Sequence, residues 1–86
     1  MKVRFLPIFA RHLSRLDPKL QQEAIEKIEL FKDKRNHEQL KVHRLHGRLA
    51  GRYSFYVNYK TRIVFSYLSK NEVVLLAIGD HAVYDK

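Results

Sequence analysis

Residues 53–67 read Tyr-Ser-Phe-Tyr-Val-Asn-Tyr-Lys-Thr-Arg-Ile-Val-Phe-Ser-Tyr. Bulky apolar side chains alternate with other types on each side of the central Asn-Tyr-Lys-Thr. Such alternation is typical of half-buried β-strands, so these residues predict an antiparallel hairpin. An unbroken apolar run, Val73–Ile78, follows and indicates an internal strand covered on both faces. The second half of the chain is therefore predicted to form a sheet.

The alternation also predicts which side chains of the hairpin share a face. Directly opposed residues of an antiparallel pair lie on one face, so Tyr56 is expected opposite Val64 and Asn58 opposite Arg62. The turn then has an odd number of residues, most simply residues 59–61. The predicted core face carries Tyr53, Phe55, Val57, Ile63, Phe65 and Tyr67. The other face is expected to be open, with Tyr56 and Arg62 as diagonal neighbours beside Ser54 and Ser66.

The first half of the chain has helical periodicity instead. Residues 2–6 predict a short strand, and Pro7 suits the first turn of a helix. Asp17 and Pro18 end that helix and begin a second one, with Asp17 as N-cap. Apolar residues then recur at helical spacing, at Leu20, Ala24, Ile28 and Phe31. The order predicts an α+β fold in one domain over residues 1–86: an N-terminal strand, a two-helix hairpin, then antiparallel strands forming a sheet packed on the helices.

Composition restricts the class of protein. The 86 residues are 45% hydrophobic and 30% charged, which is typical of one globular domain. Cysteine is absent, so disulfides, thiolate metal sites and cysteine nucleophiles are excluded. No apolar run approaches the ~20 residues of a spanning helix, and basic residues interrupt any secretory signal, so no membrane association is expected and the cytoplasm is the expected location.

Charge is distributed unevenly along the chain. The formal net charge is +8, and residues 39–71 contain no Asp or Glu. A segment without internal neutralisation attracts polyanions, and RNA or DNA is the commonest polyanion in a cytoplasm. The alternative to polyanion binding is a basic surface that only keeps the protein soluble. The basic residues of this segment are Lys41, Arg44, Arg48, Arg52, Lys60, Arg62 and Lys70.

General catalytic motifs are missing. The sequence has neither a Walker A loop nor a G-x-G-x-x-G pattern, and His43 and His46 have no nearby acidic or cysteine partner for a metal. No metal or other cofactor is therefore expected. The acid-free segment does carry arginine, histidine and tyrosine, which suit metal-free RNA cleavage: histidine moves protons near neutral pH, a guanidinium binds phosphate, and tyrosine stacks on bases.

Four segments carry a resemblance to a known family. They are Leu40-Lys-Val-His-Arg-Leu-His-Gly47, Gly51-Arg-Tyr-Ser-Phe-Tyr-Val57, Tyr59-Lys-Thr-Arg-Ile-Val-Phe65 and Ile78-Gly-Asp-His-Ala-Val-Tyr84. Together they resemble the RelE/ParE superfamily of toxins from toxin–antitoxin modules, most closely its YafQ-like branch. The more specific features are the arginine that opens Arg62-Ile-Val-Phe and the terminal His81-x-x-Tyr84.

The resemblance implies a curved sheet whose concave face cuts messenger RNA, usually on the ribosome. Arg62 matches an arginine that contacts the scissile phosphate, and His81 matches a catalytic histidine. Tyr84 matches a C-terminal aromatic residue that stacks or assists proton transfer, and His43 matches a further histidine of the YafQ-like branch. Three positions differ from the family. Tyr56 stands where the YafQ-like branch has a histidine, Ser54 stands where RelE has a lysine, and Lys60 stands near a position that is acidic in the YafQ-like branch. The identity of the general base therefore stays open.

The remaining expectations concern substrate and partners. RNA is expected to bind Lys41, Arg44, Arg48, Arg52, Tyr56 and Lys60. The family likeness and the basic segment together predict an acidic, partly helical antitoxin that wraps the toxin, in a toxin–antitoxin hetero-oligomer. Two alternatives remain: a non-enzymatic DNA gyrase inhibitor of the ParE kind, and an inactive RNA- or ribosome-binding member.

Overall fold

A mixed five-stranded sheet carries two helices on one face, in a computed structural model that describes residues 1–80. The elements are β1 (Lys2–Phe5), α1 (Pro7–Ser14), α2 (Pro18–Phe31), β2 (His43–Arg44), β3 (Tyr53–Tyr56), β4 (Arg62–Ser69) and β5 (Glu72–Gly79). Single 3-10 turns lie at Lys34–Asn36 and Gly47–Leu49. The predicted α+β class and the order strand, helix hairpin, sheet are confirmed. Neither helix within residues 1–80 is long and apolar enough to cross a lipid bilayer.

The helix hairpin forms where the sequence places it. Asp17 accepts a hydrogen bond from the Leu20 amide at 3.1 Å, so it caps α2 as predicted. The Gln21 side-chain amide donates to the carbonyls of Ser14, at 2.9 Å, and Leu16, at 2.8 Å. These bonds satisfy carbonyls that the end of α1 leaves without helical partners, and they hold the short connection to α2.

The core lies between the helices and one face of the sheet. Phe31 at the end of α2 stacks on Phe55 of β3, with ring centroids 4.3 Å apart, and on His37 at 4.7 Å. His37 also donates Nε2–H to the Phe31 carbonyl at 2.8 Å. The fully buried side chains around this stack include Phe9, Ala24, Ile63, Phe65, Val73 and Leu75.

The strand order is β1-β5-β4-β3-β2. β1 pairs parallel with β5, whereas the other neighbouring pairs are antiparallel. β5 is thus an internal strand, as predicted. Its register shifts between the Val64–Ala77 and Phe65–Leu75 pairs, so Leu76 is an extra residue, and the sheet bends there.

The predicted register of the hairpin is wrong by two residues. Tyr56 lies opposite Arg62 rather than Val64, so these two side chains are direct neighbours and not diagonal ones. The Val57 amide bonds the Thr61 carbonyl at 2.9 Å, which leaves residues 58–60, not 59–61, in the turn. The reason is the Asn58 side chain, which accepts from the amides of Lys60 and Thr61 at 2.9 and 2.8 Å and starts the turn one residue early.

The predicted open face is also wrong in part. Ser54 has no exposed surface and Arg62 is only 4% exposed. Residues 43–52, for which no helix or strand was predicted, form β2 and then a 3-10 turn that folds back across this side of the sheet. Leu45 and Leu49 from that segment pack on Val64, with Leu76 and Ala77 beside them. The face of the sheet opposite the helices is called the far face below. This second apolar cluster covers its centre.

Candidate functional site

His43 lies at the β2 edge of the far face. It pairs with Ser54, and its Nε2 is 3.4 Å from the Ser54 hydroxyl. Its Nδ1 is 2.8 Å from the Lys41 carbonyl, which can only accept, so Nδ1 carries the proton. Lys41, which supplies this carbonyl, holds a left-handed φ of 56°. When His43 is neutral, Nε2 therefore carries the lone pair, which faces the Ser54 hydroxyl, and an unprotonated nitrogen is the form that a general base needs.

Arg62 opens β4 on the same face. Its guanidinium carbon is 3.4 Å from the centre of the Tyr56 ring, a close cation–π contact. Nη1 donates to the carbonyls of Asn58, at 2.7 Å, and Thr61, at 3.2 Å. No ion pair within residues 1–80 involves Arg62. The structure thus buries a permanently charged group without a carboxylate partner among the described residues.

The strand registers relate His43 to Arg62. His43 is opposite Ser54, and Arg62 is opposite Tyr56, two residues farther along β3. Ideal sheet spacings put the α-carbons of His43 and Arg62 about 12 Å apart. An interval of this size is comparable to a phosphodiester with its ribose.

The predicted residues His81 and Tyr84 lie outside the described residues. Gly79 pairs directly with Arg62, and the described chain ends one residue later at Asp80, which is exposed. The end of β5 is therefore beside Arg62.

The residues predicted to bind RNA do not form one surface. Lys41, Arg48 and Arg52 are exposed along the segment around β2 and its following turn. Lys60 instead lines a shallow cleft of about 280 Å³ beside the start of α2, together with the carboxylates of Asp17 and Glu23. Arg44 follows His43 in the strand and faces the helix side.

Arg44 has aromatic partners that the sequence did not reveal. Its guanidinium carbon is 5.8 Å from the Tyr53 ring centre, and Nη2 donates to the Tyr53 hydroxyl at 3.3 Å. Tyr53 packs edge-to-face with Tyr67 at 4.9 Å. Both tyrosines were predicted to be core residues, but Tyr67 is 39% exposed. Partial burial, and next the neighbouring Tyr53, raise the pKa of Tyr67, so its hydroxyl keeps its proton. Only the register of β2 on β3, absent from the prediction, brings Arg44 to this pair.

Comparison with known proteins supports the fold. No family model matches the sequence, and no curated protein does either. The YoeB–YefM complex from Staphylococcus aureus matches with a TM-score of 0.71 at 19% identity, over 94% of this chain and 97% of that one. The toxin–antitoxin complex RelBE2 from Mycobacterium tuberculosis matches at 0.68 and 23% identity, over 93% and 96%.

An archaeal RelE–RelB complex from Pyrococcus horikoshii matches with a TM-score of 0.70 at 14% identity, over 92% of each chain. Likeness at these identities is a likeness of fold. The chain therefore has the fold seen in RelE- and YoeB-type toxins, whereas the YafQ-like branch stays a prediction.

Proposed function

We propose that this protein is the toxin of a toxin–antitoxin module and that it cuts messenger RNA without a metal ion. The observation that carries the proposal is the buried Arg62, stacked on Tyr56 and lacking an anionic partner within residues 1–80. Burying a charge without a partner costs several kcal/mol, so such a group suits an anion that binds from outside. Nη1 is held by backbone carbonyls, and Nε and Nη2 have no acceptor among the described residues.

The proposed reaction is attack of the ribose 2′-OH on the adjacent phosphorus. The Nε2 lone pair of His43 takes the proton of the 2′-OH, and Arg62 stabilises the additional negative charge on the phosphoryl oxygens. The leaving 5′-oxygen then needs a proton. His81 supplies it in this proposal, with Tyr84 stacking or assisting, as the family likeness implies. In the sequence they come two and five residues after Gly79, which pairs with Arg62.

Charge and fold likeness extend the proposal to partners. We propose an acidic, partly helical antitoxin that covers the basic residues around β2, and messenger RNA on cytoplasmic ribosomes as the substrate. The acid-free segment 39–71 supports both, because each partner is negatively charged. The solved structures with this fold include complexes with YefM and RelB.

Induced expression followed by primer extension on cellular messages tests the enzyme proposal. Wild type should arrest growth and leave new 5′ ends within messages. Arg62→Gln and His81→Ala should abolish both effects, whereas Arg11→Gln, which removes an exposed arginine from α1, should leave both intact. Intact messages in arrested cells would contradict the nuclease proposal. Loss of DNA supercoiling by gyrase in extracts of the same cells would favour the ParE-like alternative.

A further inference from the structure

We propose that Arg44, Tyr53 and Tyr67 form a second nucleotide-binding site, which holds a base and phosphate next to the bond that is cut. The proposal rests on the proposed function for the identity of the ligand as RNA and for the position of the bond that is cut. The three residues are called the tyrosine–arginine site below.

Contacts already order this site in the free protein. Arg44 is held by Tyr53 through a cation–π contact and a hydrogen bond, and Tyr53 packs edge-to-face on Tyr67. Phe65 supports both rings from the core, with centroids 5.6 Å from Tyr53 and 5.5 Å from Tyr67. An aromatic surface that is held in place binds a base with little loss of side-chain entropy.

Charge favours RNA as the occupant. Arg44 is exposed and takes part in no ion pair within residues 1–80, and the flanking sequence from 39 to 71 has no carboxylate. An acidic protein would satisfy the arginine but has no need of the exposed ring of Tyr67. A nucleotide uses both, because its base stacks on an aromatic ring and its phosphate binds the guanidinium.

The place of the site in the sheet relates it to the candidate active site. His43 and Arg44 are neighbours in the two-residue edge strand β2, and successive side chains of a strand point to opposite faces. His43 contacts Ser54 on the far face, whereas Arg44 contacts Tyr53 on the helix side. A single RNA strand that crosses the β2 edge therefore contacts both sites in succession.

Binding of short oligonucleotides by fluorescence anisotropy tests the proposal. The probes are a 2′-O-methyluridine hexamer, which has no free 2′-OH to attack, and an abasic hexamer with the same number of phosphates. Tyr67→Leu should weaken binding of the uridine hexamer about 5- to 20-fold and leave the abasic hexamer unchanged, because only a base stacks. Arg44→Gln should weaken the binding of both probes. It should also reduce by about one the slope of the logarithm of the association constant against the logarithm of the salt concentration.

Matched variants isolate the site. Tyr59→Leu removes a tyrosine that is 84% exposed at the β3–β4 turn, and Arg11→Gln removes an exposed arginine on α1. Both should bind the hexamer like wild type, and Tyr67→Phe should as well, since it keeps the ring. Urea unfolding of each variant confirms that the fold is retained.

Three results would overturn the proposal. If Tyr67→Leu binds the uridine hexamer as tightly as wild type, no base stacks at this site. If Tyr67→Leu weakens binding of the abasic probe equally, the site recognises charge and not a base. A polyglutamate peptide that binds wild type tightly and loses affinity equally in Tyr67→Leu makes the surface a protein-binding one. The binding readout is independent of cleavage, so an inactive protein that still shows the base-dependent loss would refute the nuclease and keep this site.

Discussion

The orientation of Arg62 depends on one neighbouring residue. Tyr56 lies directly across the strand pair and stacks on the guanidinium, while the carbonyls of Asn58 and Thr61 hold Nη1. Without the Tyr56 ring and these two carbonyls, the Arg62 side chain could adopt other rotamers. The ring of Tyr56, rather than its hydroxyl, is therefore the feature expected to matter.

Tyr56→Leu should lower the rate of RNA cleavage about 2- to 30-fold, the range that a cation–π contact of about 0.5–2 kcal/mol gives. Tyr56→Phe should restore the rate because it keeps the ring. Single-turnover cleavage at saturating RNA measures the effect, with urea midpoints as the stability control. A Tyr56→Phe protein as slow as Tyr56→Leu would show that the hydroxyl, and not the stacking, is needed.

Within residues 1–80, Asp33 is the acidic residue with a clearly altered pKa. Hydrogen bonds from the side chain and then the backbone of Arg35 lower its pKa from 3.8 to about 2. Because the folded pKa is below the unfolded one, this carboxylate stabilises the fold above pH 4, and the contribution is lost as the pH falls from about 4 through about 2. The contribution is small, since the pair lies near the surface.

Carboxyl-carbon NMR titration checks the shift directly. The Asp33 midpoint should lie near 2 in wild type and move up towards 3.8 in Arg35→Gln, where the side-chain hydrogen bonds are absent. Arg15→Gln, at an exposed arginine elsewhere, is the control. An Asp33 midpoint that does not move in Arg35→Gln would assign the shift to the backbone alone.

Among the elements, α2 supplies Ala24 and Phe31 to the core between the helices and the sheet, beside Phe9 from α1. Its start is defined by Asp17, which accepts from the Leu20 amide, and by Pro18, which needs no hydrogen bond for its nitrogen. Its end places Phe31 in the centre of the core. A change at either end therefore affects how the helix lies on the strands.

Asp17→Ala should lower the free energy of unfolding by about 1 kcal/mol, because the cap to Leu20 is lost. Asp17→Ser keeps an accepting oxygen and should cost much less. Urea unfolding followed by circular dichroism measures both. Equal stability of the alanine and serine variants would mean that Gln21, and not the cap, holds the start of α2.

Within residues 1–80, the charged side chains lie outside the core except for the buried Arg62. The helix hairpin and one sheet face enclose the apolar residues, to which β3 and β4 contribute Phe55, Ile63 and Phe65. The exposed basic side chains of the acid-free segment lie on β2 and on the connections between strands. A chain of 86 residues has a modest margin of stability, so a single large defect in the core consumes much of it.

Phe31→Ala should lower the free energy of unfolding by about 3–5 kcal/mol, since this ring contacts Phe55, Phe65 and His37 at once. Leu30→Ala, at the adjacent and 37% exposed position, should cost under about 1 kcal/mol. Urea midpoints compare the two directly. Similar losses at both positions would place the centre of the core elsewhere.

The sequence predicted the two helices and the longer strands because their signals are local. Helical spacing from Leu20 to Phe31, the Asp17-Pro18 boundary and the alternation after position 53 each follow from a few neighbouring residues. The basic segment and the choice of Arg62 and His43 as candidate site residues were likewise available from residue types and from the family likeness. For these features no distant contact had to be known.

Other features depended on contacts between distant parts of the chain. The register followed from the Asn58 side chain in the turn, and burial of Ser54 and Arg62 accompanies the second apolar cluster, in which Leu45 and Leu49 fold across the sheet. The pairing of a two-residue strand with β3 put His43 and Arg44 on opposite faces. Alternation along a strand determines which of its residues share a face. The partner strand, the pairing register and the segment that covers the face are decided only when distant parts of the chain pack together.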